Sequence, residues 1–171
     1  SAPAPLDVAI IVPTLNEAAN VARLVERLTQ VLQGRAWEVI FVDDNSPDGT
    51  SDIVRAIGRE HRHVRVVQRV GRRGLSSAVI EGMLATAAPT LVVMDGDMQH
   101  DEAILPKLID AVTSGDAEMA IGTRYAEGGG VGDWDKKRLW MSQLATRAGQ
   151  WALGTTVNDP MSGFFALRRE A

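Results

Sequence analysis

The chain has 171 residues, and 45% of them are hydrophobic, which is enough to build the core of one domain. Its formal net charge of −4 argues against a nucleic-acid partner, because phosphate backbones are usually met by a clustered excess of Lys and Arg. The chain has no cysteine, so disulfides, thiolate metal sites and cysteine nucleophiles are excluded.

The two ends of the chain differ from its middle. Residues 1–6 are predicted to be a flexible lead-in, because they are too few and too poor in basic and apolar residues for a signal peptide. Residues 7–171 are predicted to form one domain. We expect this domain to be truncated at its C-terminus, since residues 168–171 follow an apolar run without turn-forming residues. No stretch approaches the roughly 20 apolar residues that cross a bilayer.

Short apolar runs alternate with amphipathic helical patterns along the chain. Strands are predicted at residues 8–12, 38–42, 64–67, 90–94 and 118–121. Helices are predicted over residues 21–32, after Thr50, after Gly74, and over residues 104–112, where Pro106 fits the first turn. This alternation predicts an α/β fold that is Rossmann-like, with a mainly parallel sheet and helices on both faces.

Polar residues follow several of the predicted strands. In a parallel sheet, ligands bind outside the carboxyl ends of the strands, so these residues are the candidates for a site. Four segments should converge on one edge of the sheet, namely residues 13–17, 43–46, 95–97 and 122–124. The glycine-rich stretch from Glu127 to Lys137 is typical of an active-site lid or binding loop.

Asp95 and Asp97 flank Gly96 directly after a buried strand. Hard carboxylate oxygens suit Mg²⁺ or Mn²⁺, which commonly complete their coordination with water and substrate phosphates. Gln99 offers a further oxygen, whereas we interpret His100 as a surface or packing residue. The alternative for the three-residue motif is an acidic turn that binds no metal.

Asp44, and less strongly Asp43, is predicted to accept hydrogen bonds from a ribose hydroxyl or a base N–H. The alternative is helix capping and turn formation by residues 43–50, which are rich in turn formers. Glu17 has the same two interpretations, because an acid near a helix N-terminus is stabilised by the helix dipole in any case.

Basic residues occur in two further segments. Arg69, Arg72 and Arg73 flank Gly71 and Gly74, where a solvated loop and an anion contact are both open interpretations. Arg124 and Arg138 flank the glycine-rich stretch, and they are the better candidates for receiving an anionic acceptor.

Six short segments, in this order and spacing, resemble family 2 glycosyltransferases of the GT-A fold. The matching segments are residues 11–17, 42–50, 74–78, 94–100, 122–125 and 159–164. The resemblance extends from Val8 to Arg169, and it is closest to the branch of polyprenyl-phosphate sugar transferases that includes dolichol-phosphate mannose synthases. Phe165 departs from the pattern, since many relatives have Arg there.

The resemblance implies that residues 7–171 are a metal-dependent catalytic domain. Its implied donor-binding residues are Pro13, Leu15, Glu17, Val42, Asp44, Asp95, Gly96 and Asp97. Its implied metal ligands are Asp95, Asp97 and Gln99, with Mg²⁺ or Mn²⁺ as cofactor. Its implied catalytic residues are Asp97, Arg124 and Arg138, together with Asp159 as a weaker acceptor-side candidate whose alternative role is a turn before Pro160.

The resemblance also implies the reaction and its partners. A sugar would move with inversion from a nucleoside-diphosphate sugar to a polyprenyl phosphate, with GDP-mannose favoured as donor and UDP-glucose as the alternative. The full-length protein is then expected to lie at a membrane surface, on its cytoplasmic side.

Three rival classes of protein share parts of this pattern. A response-regulator receiver needs its acidic pair after the first strand, whereas here a whole strand and helix precede Asp43. A dinucleotide-dependent oxidoreductase needs a glycine-rich first turn, where this chain has residues 13–17 without glycine. A non-catalytic nucleotide-sugar-binding module stays open, because binding and turnover use the same residues.

Overall fold

The computed structural model describes residues 4–97, 102–122 and 164–170. The elements in chain order are β1 (Val8–Thr14), α1 (Ala18–Val31), β2 (Trp37–Asp43), α2 (Thr50–Glu60), β3 (Val64–Gln68), α3 (Leu75–Leu84), β4 (Thr90–Met94), a 3₁₀ turn (Glu102–Ile104), α4 (Leu105–Thr113), β5 (Met119–Ile121) and β6 (Phe164–Arg168). Strands and helices alternate as far as β5, as the hydrophobic pattern predicts.

The strands form one sheet in the order β3-β2-β1-β4-β6-β5. Strands β3, β2, β1 and β4 pair in parallel, whereas β6 is antiparallel to both of its neighbours. Because β6 is antiparallel to both β4 and β5, these two strands run in the same direction. The carboxyl ends of β1 to β5 therefore lie at one edge, and the predicted α/β fold with a mainly parallel sheet is confirmed.

Helices cover both faces of the sheet, as predicted. On one face, alternate residues of the central strands pack against α1, α2 and α4, with Leu24, Val54 and Leu108 among the buried contacts. On the other face, Ala78 and Val79 of α3 pack against the opposite set of strand residues. In the part of the chain that the structure describes, no helix is long and apolar enough to span a membrane.

Helix α3 approaches the sheet closely at Gly82. A Cβ atom placed there would overlap the Cγ2 methyl of Ile11 and would lie 3.0 Å from Cγ2 of Val42. The absence of a side chain therefore allows α3 to pack directly over β1 and β2.

Strand β1 continues through Pro13, where the sequence predicts its end. The N–H of Asp44 donates to the carbonyl of Thr14 at 3.1 Å, so the backbone of Thr14 faces β2. By alternation, the nitrogen of Pro13 faces β4, whose pairing with β1 has already ended at Ile11. The missing N–H of Pro13 therefore costs no ladder hydrogen bond.

Strand β6 is not among the sequence-predicted strands. It lies between β4 and β5, with Phe165 opposite Val93 on one side and Ile121 on the other. A strand inserted between two strands that precede it in the chain depends on long-range pairing, which local periodicity does not report.

Candidate functional site

The candidate site lies where β1 and β4 end side by side. The chain runs from β1 outward through β2 to β3 and then returns to the other side of β1 as β4. This reversal of strand order opens a crevice at the carboxyl edge, which is the usual ligand position in such sheets. Glu17 follows β1, and Asp95 and Asp97 follow β4, so three predicted site residues flank this crevice.

Gly96 holds the two loops together at the crevice. A Cβ atom at this position would lie 3.3 Å from Cγ2 of Thr14 and Cγ1 of Val12, and 3.5 Å from Cγ of Glu17. Any larger side chain would push the β4 loop away from β1. Close packing therefore explains a glycine at this position, independently of the ligand contact that was predicted for it.

Asp43 is a buried structural hub, with no exposed surface. Its carboxylate accepts hydrogen bonds from the hydroxyls of Thr14 (3.0 Å), Ser46 (2.5 Å) and Ser51 (2.7 Å), and from the N–H of Ser46 (3.0 Å). These bonds tie the ends of β1 and β2 to the start of α2. Of the two interpretations of Asp43, ligand contact and turn formation, the structure therefore supports turn formation.

The loop after β2 also caps the helix after β1. Ser46 Oγ accepts from the N–H of Asn16 at 2.9 Å, Thr50 Oγ1 from Glu17 at 3.1 Å, and Asp48 Oδ2 from Ala18 at 3.1 Å. The other oxygen of Asp48 accepts from the N–H (3.1 Å) and hydroxyl (2.5 Å) of Thr50. These bonds, first of all the one from the Thr50 hydroxyl, hold the pKa of Asp48 below its ordinary value.

Asp48 thus serves two helices, which the sequence did not indicate. Helix capping by residues 43–50 was one of the two open interpretations of this segment, without a partner outside it being named. The donors of α1 lie some 30 residues earlier in the chain, and pairing them with this loop requires β1 and β2 to be neighbours.

Asp44 is held at the edge by a buried arginine. Oδ1 accepts from Nε of Arg69 at 2.6 Å, and Oδ2 accepts from the N–H of Gly74 at 3.0 Å. The Asp44 side chain is 13% exposed, whereas that of Arg69 is fully buried. A carboxylate has about four acceptor positions, so Asp44 retains capacity to accept from a ligand.

Arg69 also donates from Nη1 to Ser77 Oγ at 2.7 Å and from Nη2 to the carbonyl of Gly74 at 3.0 Å. Arg72 forms a two-pronged ion pair with Glu81, at 2.9 and 3.0 Å, which lowers the pKa of Glu81. Arg69 is therefore neither part of a solvated loop nor available for an anion contact, and it instead stabilises the N-terminus of α3. Arg73 is exposed.

The remaining predicted donor-binding residues lie close to the crevice but differ in exposure. Leu15, directly after β1, is 52% exposed, and Pro13 is half-buried. Val42 is fully buried beneath α3, so its side chain has a packing role in this structure. Glu17 is half-buried, and its Oε2 accepts from Nδ2 of Asn20 at 2.7 Å.

The crevice offers a divalent cation two hard carboxylates, those of half-buried Asp95 and Asp97. Within residues 4–97, 102–122 and 164–170, no three His, Cys, Asp or Glu side chains converge to enclose a metal. This open, oxygen-only donor set fits Mg²⁺ or Mn²⁺, because such ions are commonly completed by substrate phosphates and water.

A polar cleft adjoins Asp97 on the side of α1. Its volume is about 600 Å³, and Asp97, Arg27 and Glu102 are among the residues that line it. Glu102 was not among the predicted site residues, and an acid at the start of a helix gives no signal of ligand binding, because the helix dipole stabilises it in any case.

Several predicted site residues lie outside the described part of the chain. They are Gln99, His100, Arg124, Arg138 and Asp159, and the glycine-rich stretch lies there too. Gly122, which precedes the Thr123-Arg124 segment, follows β5, and β6 separates this strand from β4. The predicted convergence therefore holds for β1, β2 and β4, with β5 two strand positions from β4.

The model of one protein family, described as Glycosyl transferase family 2, matches residues 9–171. The chain belongs to glycosyl transferase family 2. This membership confirms the resemblance on which the predicted site rests.

Within this family, the chain is 41% identical to a dolichol-phosphate mannosyltransferase of Pyrococcus furiosus, over 96% of this chain and 47% of that protein. It is 37% identical to the dolichol-phosphate mannosyltransferase of Saccharomyces cerevisiae, over 96% of this chain and 62% of that protein. It is 35% identical to a polyprenol monophosphomannose synthase of Mycolicibacterium smegmatis, over 94% of this chain and 61% of that protein. The chain thus spans 47% to 62% of the length of these relatives.

Solved structures of similar proteins share the architecture. A mannosyltransferase from Pyrobaculum calidifontis, in complex with GDP-Man and Mn²⁺, matches with a TM-score of 0.54 and 26% identity, over 70% of this chain and 34% of that chain. Glucosyl-3-phosphoglycerate synthase from Mycobacterium tuberculosis matches with a TM-score of 0.64 and 22% identity, over 96% of this chain and 57% of that chain. The second likeness concerns the fold alone, and the predicted GT-A fold class is confirmed.

Proposed function

We propose that this chain is the catalytic domain of an inverting, metal-dependent mannosyltransferase that moves mannose from GDP-mannose to a polyprenyl phosphate. The observation that carries the proposal is the position of Asp95 and Asp97, which leave β4 beside Glu17 at the point where strand order reverses. The names of the relatives support the sugar and the acceptor class. The GDP-Man and Mn²⁺ of the Pyrobaculum mannosyltransferase support the donor and the metal.

In this proposal, the donor lies along the carboxyl edge from β2 to β4. Asp44 has free acceptor capacity for a ribose hydroxyl or a base N–H, because Arg69 and Gly74 use only two of its positions. Exposed Leu15 offers an apolar surface to the base. Pro13, Glu17, Val42 and Gly96 complete the donor-binding set that the resemblance implies.

The diphosphate would be gripped at the acidic pair. Asp95, Asp97 and Gln99 are the proposed ligands of a divalent cation, Mg²⁺ or Mn²⁺. When bound, such a cation supplies Lewis-acid stabilisation of the charge that builds on the departing diphosphate. The two carboxylates keep this charge compensation at a fixed place on the sheet edge.

The acceptor phosphate needs no strong protein base. A phosphate monoester is already mostly dianionic at neutral pH, since its second pKa is about 6. Arg124 and Arg138 are proposed to position this anion for attack on the anomeric carbon. Asp159 is kept as a weaker acceptor-side candidate, and the full-length protein is proposed to work at the cytoplasmic side of a membrane.

The donor assignment is tested by a thermal-shift screen of GDP-mannose, UDP-glucose and the free nucleotides, with Mn²⁺ or Mg²⁺ present. A ligand that binds only the native state raises the melting temperature, so GDP-mannose should give the largest shift. A larger shift with UDP-glucose would replace the proposed donor. Sugar transfer to a polyprenyl phosphate in the same samples would exclude a non-catalytic binding module.

The metal site is tested by Asp97→Ala, with Asp116→Ala as a control at an exposed acid beyond α4. Asp97→Ala should abolish metal-dependent transfer while the melting temperature stays close to that of the unmodified chain, and Asp116→Ala should keep full turnover. Substantial turnover in Asp97→Ala would rule out the proposed role. For the acceptor side, Arg138→Ala should raise the KM for the lipid phosphate more than that for the donor, and equal increases would contradict the assignment.

A further inference from the structure

The polar cleft beside Asp97 has no part in the proposed binding of the nucleotide, the metal or the acceptor. It opens between α1 and the 3₁₀ turn that precedes α4, with a volume of about 600 Å³. Two arginines, two amides and three acids line it. The lining includes Asn20, Arg23, Arg27, Gln30, Asp97 and Glu102.

Glu102 is a buried acid that lines this cleft. The residue is only 6% exposed. Its Oε2 lies 3.8 Å from Nε of Arg27, which is a long ion pair. Its Oε1 is buried, and no donor among the described residues forms a hydrogen bond with it. A buried acceptor without a partner destabilises a fold, so such an atom requires an explanation.

The charges around Glu102 restrict what could supply the missing donor. Arg23 and Arg27 line the same cleft, so a second metal cation would meet two positive charges. A phosphate would instead meet three carboxylates, those of Glu26, Asp97 and Glu102. A neutral ligand with several hydroxyls avoids both conflicts, because carboxylates accept from hydroxyls, guanidinium groups donate to them, and amides do both.

Asp97 connects the cleft to the proposed donor site. It is a proposed ligand of the cation that grips the diphosphate, and it also lines the cleft. The sugar of a nucleoside-diphosphate sugar is joined directly to that diphosphate. A sugar ring joined to that diphosphate would therefore adjoin the cleft, in which Asn20 supplies an amide group.

We infer that the cleft is the subsite for the transferred sugar, and that Glu102 is a specificity-determining residue whose Oε1 accepts a hydrogen bond from a sugar hydroxyl. This inference rests on the proposed nucleotide-sugar donor. Arg27 holds Oε2, which leaves Oε1 available for the ligand. A site that is built to bond a hydroxyl discriminates strongly against analogues that lack it, because the buried acceptor is then unpaired again.

The test compares two ligands that differ only in the sugar. Binding of GDP-mannose and of GDP is measured by calorimetry with Mn²⁺ for the unmodified chain, Glu102→Ala and Glu102→Gln. Glu118→Ala is the control at an exposed acid before β5. Glu102→Ala should weaken GDP-mannose by at least about tenfold, the size expected for a hydrogen bond to a charged group, and should leave GDP within about twofold. The control should change neither affinity.

A second arm identifies the hydroxyl. Among deoxy-sugar analogues of GDP-mannose, one should bind the unmodified chain about tenfold more weakly than GDP-mannose and bind Glu102→Ala as well as GDP-mannose does. Equal weakening of GDP and GDP-mannose, no weakening of either, or loss of the native fold in both Glu102 variants would overturn the subsite. Failure of the unmodified chain to bind GDP at all would overturn the proposed donor together with it.

Discussion

Nε of Arg69 donates a hydrogen bond to Oδ1 of Asp44 across 2.6 Å, and the arginine side chain has no exposure to solvent. The pair joins the residue after β3 to the residue after β2. Because Asp44 also accepts from the N–H of Gly74, the same carboxylate fixes the start of α3. Arg69, for which the sequence left an anion contact open, therefore holds the residues around the site in place.

Replacing Arg69 should destabilise the domain strongly. Arg69→Ala removes one partner of a buried ion pair, which typically costs about 3–5 kcal/mol because the remaining carboxylate is left without its counter-charge. Urea unfolding followed by circular dichroism measures the loss. Arg72→Ala is the control, since Arg72 is mostly exposed and exposed pairs contribute little. Similar losses for the two variants would contradict the buried role of Arg69.

Asp43→Ala should unfold the junction between β1, β2 and α2. Three hydroxyls and one N–H lose their acceptor, and hydrogen bonds to charged groups contribute about 1.5–3 kcal/mol each. We expect a loss of at least about 3 kcal/mol in the free energy of unfolding, and a smaller loss for Ser51→Ala, which removes one of the donors. A loss for Asp43→Ala no larger than that for Ser51→Ala would show that the other hydrogen bonds to Asp43 do not stabilise the fold.

Gly82→Ala should destabilise the packing of α3 on the sheet, although alanine favours helices. The added methyl overlaps Cγ2 of Ile11, and overpacking typically costs about 1–3 kcal/mol. Ser76→Ala on the same helix should change the free energy of unfolding by less than about 0.5 kcal/mol. In a double-mutant cycle, Ile11→Ala should recover part of the loss, and strict additivity would contradict the close contact.

His63 should make the domain less stable in mild acid. Burial, and secondarily the charge of His61, lowers the pKa of His63 below its ordinary 6.5. Below pH 6.5 the unfolded chain therefore binds more protons than the folded chain, and the free energy of unfolding falls as the pH falls through this region. Chemical unfolding between pH 8 and pH 5 should show this slope, and His63→Gln should flatten it.

Replacing His63 also removes a contact with a neighbouring ring, which must be separated from the effect of its titration. Trp37 packs edge-on against His63 with 4.6 Å between ring centroids, so the glutamine variant also loses an aromatic contact at every pH. A uniform loss of stability therefore reports the contact, whereas a change in slope reports the titration. An unchanged slope in His63→Gln would assign the acid sensitivity to other groups.

The sequence alone determined the layered architecture and the candidate edge of the site. Short apolar strands and amphipathic helices are local patterns, and the hydrophobic effect acts on them in the same way wherever the strand is finally placed. The residues after each strand could therefore be assigned to one edge before any pairing was known. Asp95, Asp97, Glu17 and Asp44 are at that edge.

Only the tertiary structure decided what each charged residue does there. Asp43 and Asp44 are adjacent in sequence, but one accepts from three hydroxyls and the other from Arg69, because strand pairing brings different partners to each. Strand β6 and the burial of Glu102, whose Oε1 has no hydrogen-bond partner among the described residues, likewise depend on contacts between distant segments. Local patterns carry no information on such contacts, since burial and hydrogen-bond partners are properties of the assembled sheet and its helices.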